Sequence, residues 1–205
     1  AGPGEGKSTT VANLGIAIAN DGKRVILVDT DVRRPSLDRY FGLQNEVGLT
    51  EVLRDKAALT DAIQPTQIDN LSVMVSGQPH ENPGRLLESR HMEQLLGELR
   101  GKYDVVILDS APLLVKMDGL ALAKWVDDSV VVLESKRTTR SDFVRLMELF
   151  EGTRINPLGF ILNKHSISRT DASYYSYYVE SRRIEEPPRR VKGEEMRMLD
   201  KEISA

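Results

Sequence analysis

The stretch Ala1-Gly2-Pro3-Gly4-Glu5-Gly6-Lys7-Ser8-Thr9 is rich in glycine and leads directly into an apolar helical pattern. Gly4 and Gly6 allow the backbone to curl so that successive N–H groups point inward, a geometry that binds phosphate oxygens. In such a loop Lys7 reaches the β- and γ-phosphates of a nucleotide, and the Ser8 hydroxyl is a ligand of Mg²⁺. The following helix directs its positive N-terminal end at the same phosphates. The stretch therefore predicts a phosphate-binding loop rather than an ordinary glycine-rich turn.

The loop departs at one position from the pattern G-x-x-x-x-G-K-[ST], because Ala1 stands where the first glycine belongs. A strand normally feeds a loop of this kind. We therefore expect that the sequence begins inside the motif and that its first strand is missing. The nucleotide-binding candidates within the loop are Gly4, Glu5, Gly6, Lys7, Ser8 and Thr9.

Composition limits the possible classes of protein. The chain has 205 residues, of which 40% are apolar, as in a globular domain with a substantial core. A net charge of −3 argues against a surface built for nucleic acid, so no nucleic-acid partner is expected. Cysteine is absent from the sequence, which excludes disulfides and thiol chemistry. His80, His91 and His165 lie too far apart in the sequence for a metal-ligand spacing.

Strand and helix patterns alternate along the chain. The predicted strands are 24–29, 71–76, 103–108, 129–133 and 158–163, and the predicted helices are 7–20, 49–54, 59–63, 84–100, 117–126 and 139–151. Alternation of this kind predicts right-handed βαβ units, and so a P-loop NTPase-like α/β fold in three layers (α/β/α) with a mostly parallel sheet. Binding sites in such sheets lie at the carboxyl ends of the strands.

Three segments are expected along the sequence. Residues 1–170 should form the nucleotide-binding domain, and residues 171–178 an exposed run rich in tyrosine. Residues 179–205 hold seven acidic and seven basic residues around Pro187-Pro188, a composition typical of a flexible tail that does not pack.

Carboxylates stand where a magnesium site is expected. Asp29 and Asp31 lie two residues apart on an extended segment, so their side chains point to the same side. Two like charges placed there are costly unless a cation lies beside them. Asp109 follows the apolar run 105–108 and has the form of a Walker B aspartate. The alternatives are a helix or turn cap for Asp109 and a solvated turn for Asp29 and Asp31.

At this point the sequence resembles a known family. The segment Val25-Ile26-Leu27-Val28-Asp29-Thr30-Asp31-Val32-Arg33-Arg34-Pro35-Ser36-Leu37 is similar to the Walker A′ motif of bacterial tyrosine kinases, the cytoplasmic ATPase domains of capsular and extracellular polysaccharide co-polymerases. Residues 41–43, 48–53, 82–83 and 103–112 follow the same family, and the resemblance covers roughly residues 1–178.

The resemblance implies ATP and Mg²⁺ as cofactors and assigns a role to each matching position. It makes Lys7 the Walker A lysine and Asp29 the base that faces the acceptor hydroxyl, while Asn163 would contact adenine. The implied catalytic set is Lys7, Asp29, Asp31 and Asp109, and the implied magnesium ligands are Ser8, Asp31 and Asp109. Two positions are informative departures. Partition and septum-positioning ATPases carry a second lysine where this chain has Gly2, and Ala111 replaces a proline that is common in the family.

The run Ser173-Tyr174-Tyr175-Ser176-Tyr177-Tyr178 holds four of the six tyrosines of the chain. Alternate residues of a strand point in opposite directions, so the four rings cannot all face one core. An aromatic surface patch is the alternative, but an exposed run of phenols is what a tyrosine kinase needs as its own substrate. In the family that the sequence resembles, such a cluster is autophosphorylated, which makes Tyr174, Tyr175, Tyr177 and Tyr178 the expected phosphoacceptors.

The resemblance thus implies an ATP-dependent protein-tyrosine autokinase that regulates extracellular polysaccharide or capsule synthesis and export. The implied partners are a transmembrane co-polymerase or activator, separate or fused upstream, further copies of the chain, and a cognate tyrosine phosphatase. The expected location is the cytoplasm, at the inner face of the cell membrane. The alternatives are an ATPase switch of the partition or septum-positioning type without kinase activity, and a nucleotide-binding module without catalysis.

Overall fold

The computed structural model describes residues 1–115, 117–151, 153 and 157–166. Seven helices lie in this part of the chain: α1 (Lys7–Asn20), α2 (Leu37–Phe41), α3 (Leu49–Leu53), α4 (Leu59–Ala62), α5 (Pro83–Leu87), α6 (Arg90–Lys102) and α7 (Arg140–Glu151). A 3₁₀ helix spans Met117–Leu122. The strands are β1 (Val25–Asp29), β2 (Ile63–Pro65), β3 (Leu71–Met74), β4 (Val105–Asp109), β5 (Ser129–Glu134) and β6 (Pro157–Asn163).

The strands form two sheets. One has four strands in the order β2-β3-β1-β4, in which β1 pairs in parallel with both β3 and β4. The other consists of the parallel pair β5 and β6. The parallel pairing that the alternation predicted is confirmed for these strands. The predicted α/β fold with a mostly parallel sheet is thus confirmed, although among the described residues no ladder joins β4 to β5.

The central strand β1 explains the three-layer arrangement. All five of its residues are buried, and the side chains of the four apolar ones alternate between two separate apolar clusters. Ile26 and Val28 pack in a cluster with the leucines of α6. Val25 and Leu27 pack on the other side, where half-buried residues of α1 join them. An apolar strand with helices on both faces is the arrangement that its unbroken run of valine, isoleucine and leucine predicts.

Several predicted boundaries differ from the structure. The single helix expected over 84–100 is two helices, because Ser89 caps the N-terminus of α6 and interrupts the helical run. The helix expected over 117–126 is a shorter 3₁₀ helix. Two elements were not predicted at all, the single-turn helix α2 and the strand β2, which pairs antiparallel to β3 at the edge of the sheet.

Residues 1–165 form one compact unit. The predicted boundary at residue 170, the tyrosine run and the charged tail lie outside the described residues. Among the helices that the structure describes, none combines the length and the apolar character that a membrane span requires. The strand expected before Ala1 stays a prediction.

Candidate nucleotide-binding and catalytic site

The carboxyl ends of β1 and β4 bring two of the predicted carboxylates together. Asp29 and Asp109 are register partners at the ends of these paired strands. Thr30 fastens this edge, since its backbone N–H and its hydroxyl both donate to the carbonyl oxygen of Asp109, at 2.9 Å and 2.6 Å. Both carboxylates are almost completely buried, with exposed fractions of 0% and 1%. The two side chains are therefore held side by side on a rigid part of the fold.

The glycine-rich loop has the backbone that its sequence predicts. Gly4 and Gly6 adopt positive φ values of 75° and 93°, and Gly6 is the residue from which α1 begins. A side chain at Gly6 would collide with the amide nitrogen of Asn163, so space as well as backbone angle requires glycine there. Lys7 donates from Nζ to the carbonyl oxygen of Gly2 at 2.8 Å. Burial lowers the pKa of Lys7, although the nearby carboxylates partly oppose this shift.

Residues from the second sheet hold the loop from its outer side. Asn163 Nδ2 donates to the carbonyl oxygen of Glu5 at 2.9 Å, and Lys164 Nζ donates to that of Gly4 at 2.6 Å. The Glu5 side chain is buried and accepts a hydrogen bond from the Thr138 hydroxyl at 2.7 Å. The Glu5 carboxylate thus turns toward the loop after β5, so a contact of Glu5 with nucleotide would come from its backbone N–H. The adenine contact expected for Asn163 stays a prediction.

Asp109 has the character of a cation ligand. Both of its oxygens are buried and lack a hydrogen bond of normal geometry. Burial raises the pKa of Asp109 to about 6, and the neighbouring Ser8 hydroxyl and Lys7 ammonium partly counteract that shift. A buried carboxylate without donors is costly unless a cation satisfies it. A hydroxyl and carboxylates suit Mg²⁺, which keeps several water molecules and takes few protein ligands.

The described residues contain no group of three or more His, Cys, Asp or Glu side chains placed to hold a metal ion by themselves. Of the predicted magnesium ligands, Ser8 and Asp31 lie close enough to Asp109 to affect its pKa, and the role of the three residues as ligands stays a prediction.

Asp29, unlike Asp109, accepts hydrogen bonds from three backbone N–H groups. Its Oδ2 accepts hydrogen bonds from the backbone N–H groups of Ser36 at 2.8 Å and Leu37 at 3.0 Å, the residues where α2 begins. Its Oδ1 accepts from the N–H of Asp31 at 3.1 Å. Burial raises the pKa of Asp29 to about 7, against the effect of these donors, and Asp109 adds to the increase. The carboxyl group therefore both organises the Walker A′ segment and titrates near neutral pH.

Asp31 is half-buried, and its Oδ1 accepts from the N–H of Arg34 at 3.0 Å. The neighbouring Arg33 forms an ion pair with Asp118 at 2.7 Å, which joins the segment to the 3₁₀ helix. Sequence reasoning missed this pair, because an arginine and an aspartate 85 residues apart carry no local signal.

Three further contacts were also missed. The hydroxyl of Thr9 is hydrogen-bonded to that of Tyr40 on α2, at 2.5 Å, and the nucleotide contact expected for Thr9 stays a prediction. Thr138 and Lys164 support the loop as described above. For Lys164, the only sequence signal was its position beside Asn163 at the end of a strand. Thr138 had no such signal.

The structure brings together most of the predicted site residues. The loop, Lys7 and Ser8 lie beside Asp29, Asp31 and Asp109, and Asn163 contacts the loop from behind. The four predicted phosphoacceptors, Tyr174, Tyr175, Tyr177 and Tyr178, lie outside the described residues.

Comparison with known proteins supports the sequence-based resemblance. A family model described as an AAA domain matches residues 2–153. Tyrosine-protein kinase YwqD of Bacillus subtilis is 39% identical over 176 residues, which cover 86% of this chain and 73% of that protein. Tyrosine-protein kinase ptk of Acinetobacter johnsonii is 35% identical over 172 residues, but these cover only 23% of that longer protein.

Solved structures give the same result. The chimerical protein CapA2B2 matches with a TM-score of 0.78 and 34% identity, over 80% of this chain and 73% of that one. The septum site-determining protein MinD of Pyrococcus horikoshii, complexed with Mg-ADP, matches with a TM-score of 0.64 and 28% identity, over 82% of this chain and 69% of that one. The match to the septum protein is thus weaker in both fold and sequence.

Proposed function

The chain belongs to the bacterial tyrosine-protein kinases, and from this premise we propose that it transfers the γ-phosphoryl group of ATP to tyrosine hydroxyls, including those of its own run at 174–178. The observation that supports this most directly is the position of the P-loop beside two buried carboxylates, Asp29 and Asp109, at the carboxyl ends of paired strands.

The loop provides the binding energy for the triphosphate. Its inward N–H groups and the N-terminus of α1 receive the phosphate oxygens, and Lys7 exchanges the carbonyl oxygen of Gly2 for the β- and γ-phosphates. Ser8, Asp31 and Asp109 supply the protein ligands of Mg²⁺. An ion held by these residues would supply positive charge that offsets the charge on the phosphates.

The acceptor is a phenol with a pKa of about 10, which is a weak nucleophile at neutral pH. Its oxygen forms a bond to the γ-phosphorus as the bond to the bridging oxygen of ADP breaks. We assign the phenolic proton to the Asp29 carboxylate. Support for that assignment comes from the pKa of Asp29, which burial raises to about 7 and so close to the pH at which a base works best.

The regulation that we propose is electrostatic. Each phosphate adds about −1.5 to −2 charges, so four of them would place roughly −6 to −8 on five consecutive residues. Repulsion of this size expels the run from the active site of a neighbouring copy and weakens their assembly. The partners in this proposal are other copies of the chain, a transmembrane polysaccharide co-polymerase that activates the kinase, and a phosphatase that resets it. The kinase then works at the inner face of the membrane.

The test is intact-mass and phosphopeptide analysis of the full-length protein after incubation with Mg²⁺ and ATP. We expect phosphate on the tyrosines of the run 174–178 and none in a Lys7→Met variant. Replacing the four tyrosines of the run by phenylalanine should leave ATP hydrolysis intact and abolish phosphotyrosine. Persistent phosphotyrosine in that variant would refute the run as the acceptor.

The same experiment decides against the alternative function. An ATPase switch of the septum-positioning type would bind and hydrolyse ATP without forming phosphotyrosine. If no phosphate appears even when candidate activator segments are added, the kinase proposal fails and the switch replaces it.

A further inference from the structure

The geometry points to Tyr40 as a positioning residue of the active site. Its hydroxyl ties helix α2 to the first turn of α1, and through α2 it holds the segment around Asp29 in place relative to the bound nucleotide. This inference rests on the proposed function, because it concerns the efficiency of the same site.

The first argument concerns the helix that carries Tyr40. Helix α2 has only five residues, far fewer than an isolated helix needs for stability. Its position must therefore be set by contacts with the rest of the protein. At its start, Leu37 is completely buried, and the N–H groups of Ser36 and Leu37 donate to Asp29. At its other end, Gly42 closes the turn in a left-handed conformation.

The second argument concerns the contact between the two helices. The hydroxyl groups of Tyr40 and Thr9 lie 2.5 Å apart, within hydrogen-bonding distance. Thr9 lies in the first turn of α1, directly after the proposed magnesium ligand Ser8. One end of α2 is thus fastened to a catalytic carboxylate and the other end to the helix that receives the phosphates. Any shift of the first turn of α1 on nucleotide binding is transmitted along this short helix to Asp29.

The third argument is that the contact is poorly suited to a merely structural role. Tyr40 is 50% exposed, and the hydrogen bond lies at the surface, where water competes with it. One such bond is too small a part of the free energy of folding to decide whether the domain folds. Removing the hydroxyl should consequently leave the fold intact and affect the alignment of the site.

The test compares single-atom changes in the full-length protein. We expect Tyr40→Phe and Thr9→Val each to reduce kcat about fivefold, the size of effect that one hydrogen bond supports. The KM for ATP should stay within about twofold, because the phosphates are bound by the loop backbone and Lys7. The double variant should be no worse than either single variant, since both changes break the same bond. Thr9→Ser keeps the hydroxyl and should restore nearly normal turnover.

Tyr103→Phe is the matched control. Tyr103 is the other tyrosine within the described residues, and its ring packs against the main apolar cluster. The same loss of an oxygen atom there should leave kcat unchanged.

Three outcomes would overturn the inference: an unchanged kcat in Tyr40→Phe, losses that multiply in the double variant, or a raised KM with kcat intact. The last would make Tyr40 a nucleotide contact. Turnover is followed both as ADP release and as phosphotyrosine. A wild-type protein that hydrolyses ATP without forming phosphotyrosine refutes the kinase proposal, and ADP release then still tests the role of Tyr40.

Discussion

Replacement of Asp29 by asparagine separates the two roles that its surroundings assign to it. The change keeps the shape of the side chain but removes its ability to accept a proton. One amide oxygen can still accept the N–H groups of Ser36 and Leu37. The amide nitrogen then faces the N–H of Asp31, so that hydrogen bond is lost. We expect this loss to reduce the free energy of unfolding by about 1 kcal/mol.

The pH dependence of stability acts in the opposite direction to the lost hydrogen bond, because it favours the variant over the wild type as the pH rises. Burial raises the pKa of Asp29 to about 7, above the value of 3.8 for an ordinary aspartate. A folded-state pKa above the unfolded-state pKa stabilises the fold at low pH, and this contribution is lost as the pH rises through the folded-state value. Between pH 5 and pH 8 the wild-type protein should lose about 3 kcal/mol that the variant does not lose. The stability of Asp29→Asn relative to the wild type should therefore rise by about 3 kcal/mol between pH 5 and pH 8.

The assay is urea unfolding at both pH values without nucleotide or Mg²⁺, paired with kinetics. Asp109 is present in both proteins, and because it adds to the increase in the pKa of Asp29, the pH-dependent difference reports on the two coupled carboxyl groups. Phosphotyrosine formation should fall at least about a hundredfold, as expected for a missing general base, while ATP affinity stays within about threefold. Asp69→Asn, at an exposed position between β2 and β3, is a control that should change neither property.

A parallel loss of stability at both pH values, accompanied by an equal loss of ATP affinity, would refute this reasoning. Asp29 would then serve only to anchor α2, and the role of base would have to move to another group.

Three further predictions concern the loop and the metal site. Lys7→Met should weaken nucleotide binding about a hundredfold in a titration with a fluorescent analogue, with little change in unfolding, because burial already penalises the charge. Gly6→Ala should cost about 2–3 kcal/mol in a denaturation experiment, since it combines a positive φ with a collision against Asn163; Gly97→Ala, where a side chain meets open space in α6, should instead stabilise by up to about 1 kcal/mol. Asp109→Asn should raise the melting temperature of the nucleotide-free protein, because it removes a buried carboxylate without donors, and should abolish the extra stabilisation that Mg²⁺ adds to nucleotide.

The sequence predicted the parts of the site that lie close together along the chain. The loop 1–9 and its helix form a local unit, and glycine, lysine and serine at fixed spacing specify it. The apolar runs before Asp29 and Asp109 are typical of buried parallel strands, and such strands end at a common edge. That rule was sufficient to place these carboxylates beside the loop before the structure was known.

The contacts that were missed join residues far apart in sequence. Thr138 and Glu5 are 133 positions apart, and Tyr40 and Thr9 are 31 apart. Helix α2 has too few residues to show a helical period, so only its tertiary contacts define it. The break before α6 was predictable in principle, because Ser89 is a good N-cap residue. The strong run of leucines on either side of it led to the interpretation of one longer helix.

The contacts of Asn163 and Lys164 with the glycine-rich loop affect the direction in which the N–H groups of the loop point. The carbonyl oxygens of Gly4 and Glu5 are engaged by the side chains of Lys164 and Asn163. Carbonyl oxygens that are fixed outward leave the intervening N–H groups directed inward, where they present positive partial charge to an anion. We propose that these contacts preorganise the loop for phosphate, so that less reorganisation is needed when nucleotide binds. Under the proposed function Lys7 would have to exchange its partner, because its Nζ donates to the carbonyl oxygen of Gly2 in this structure.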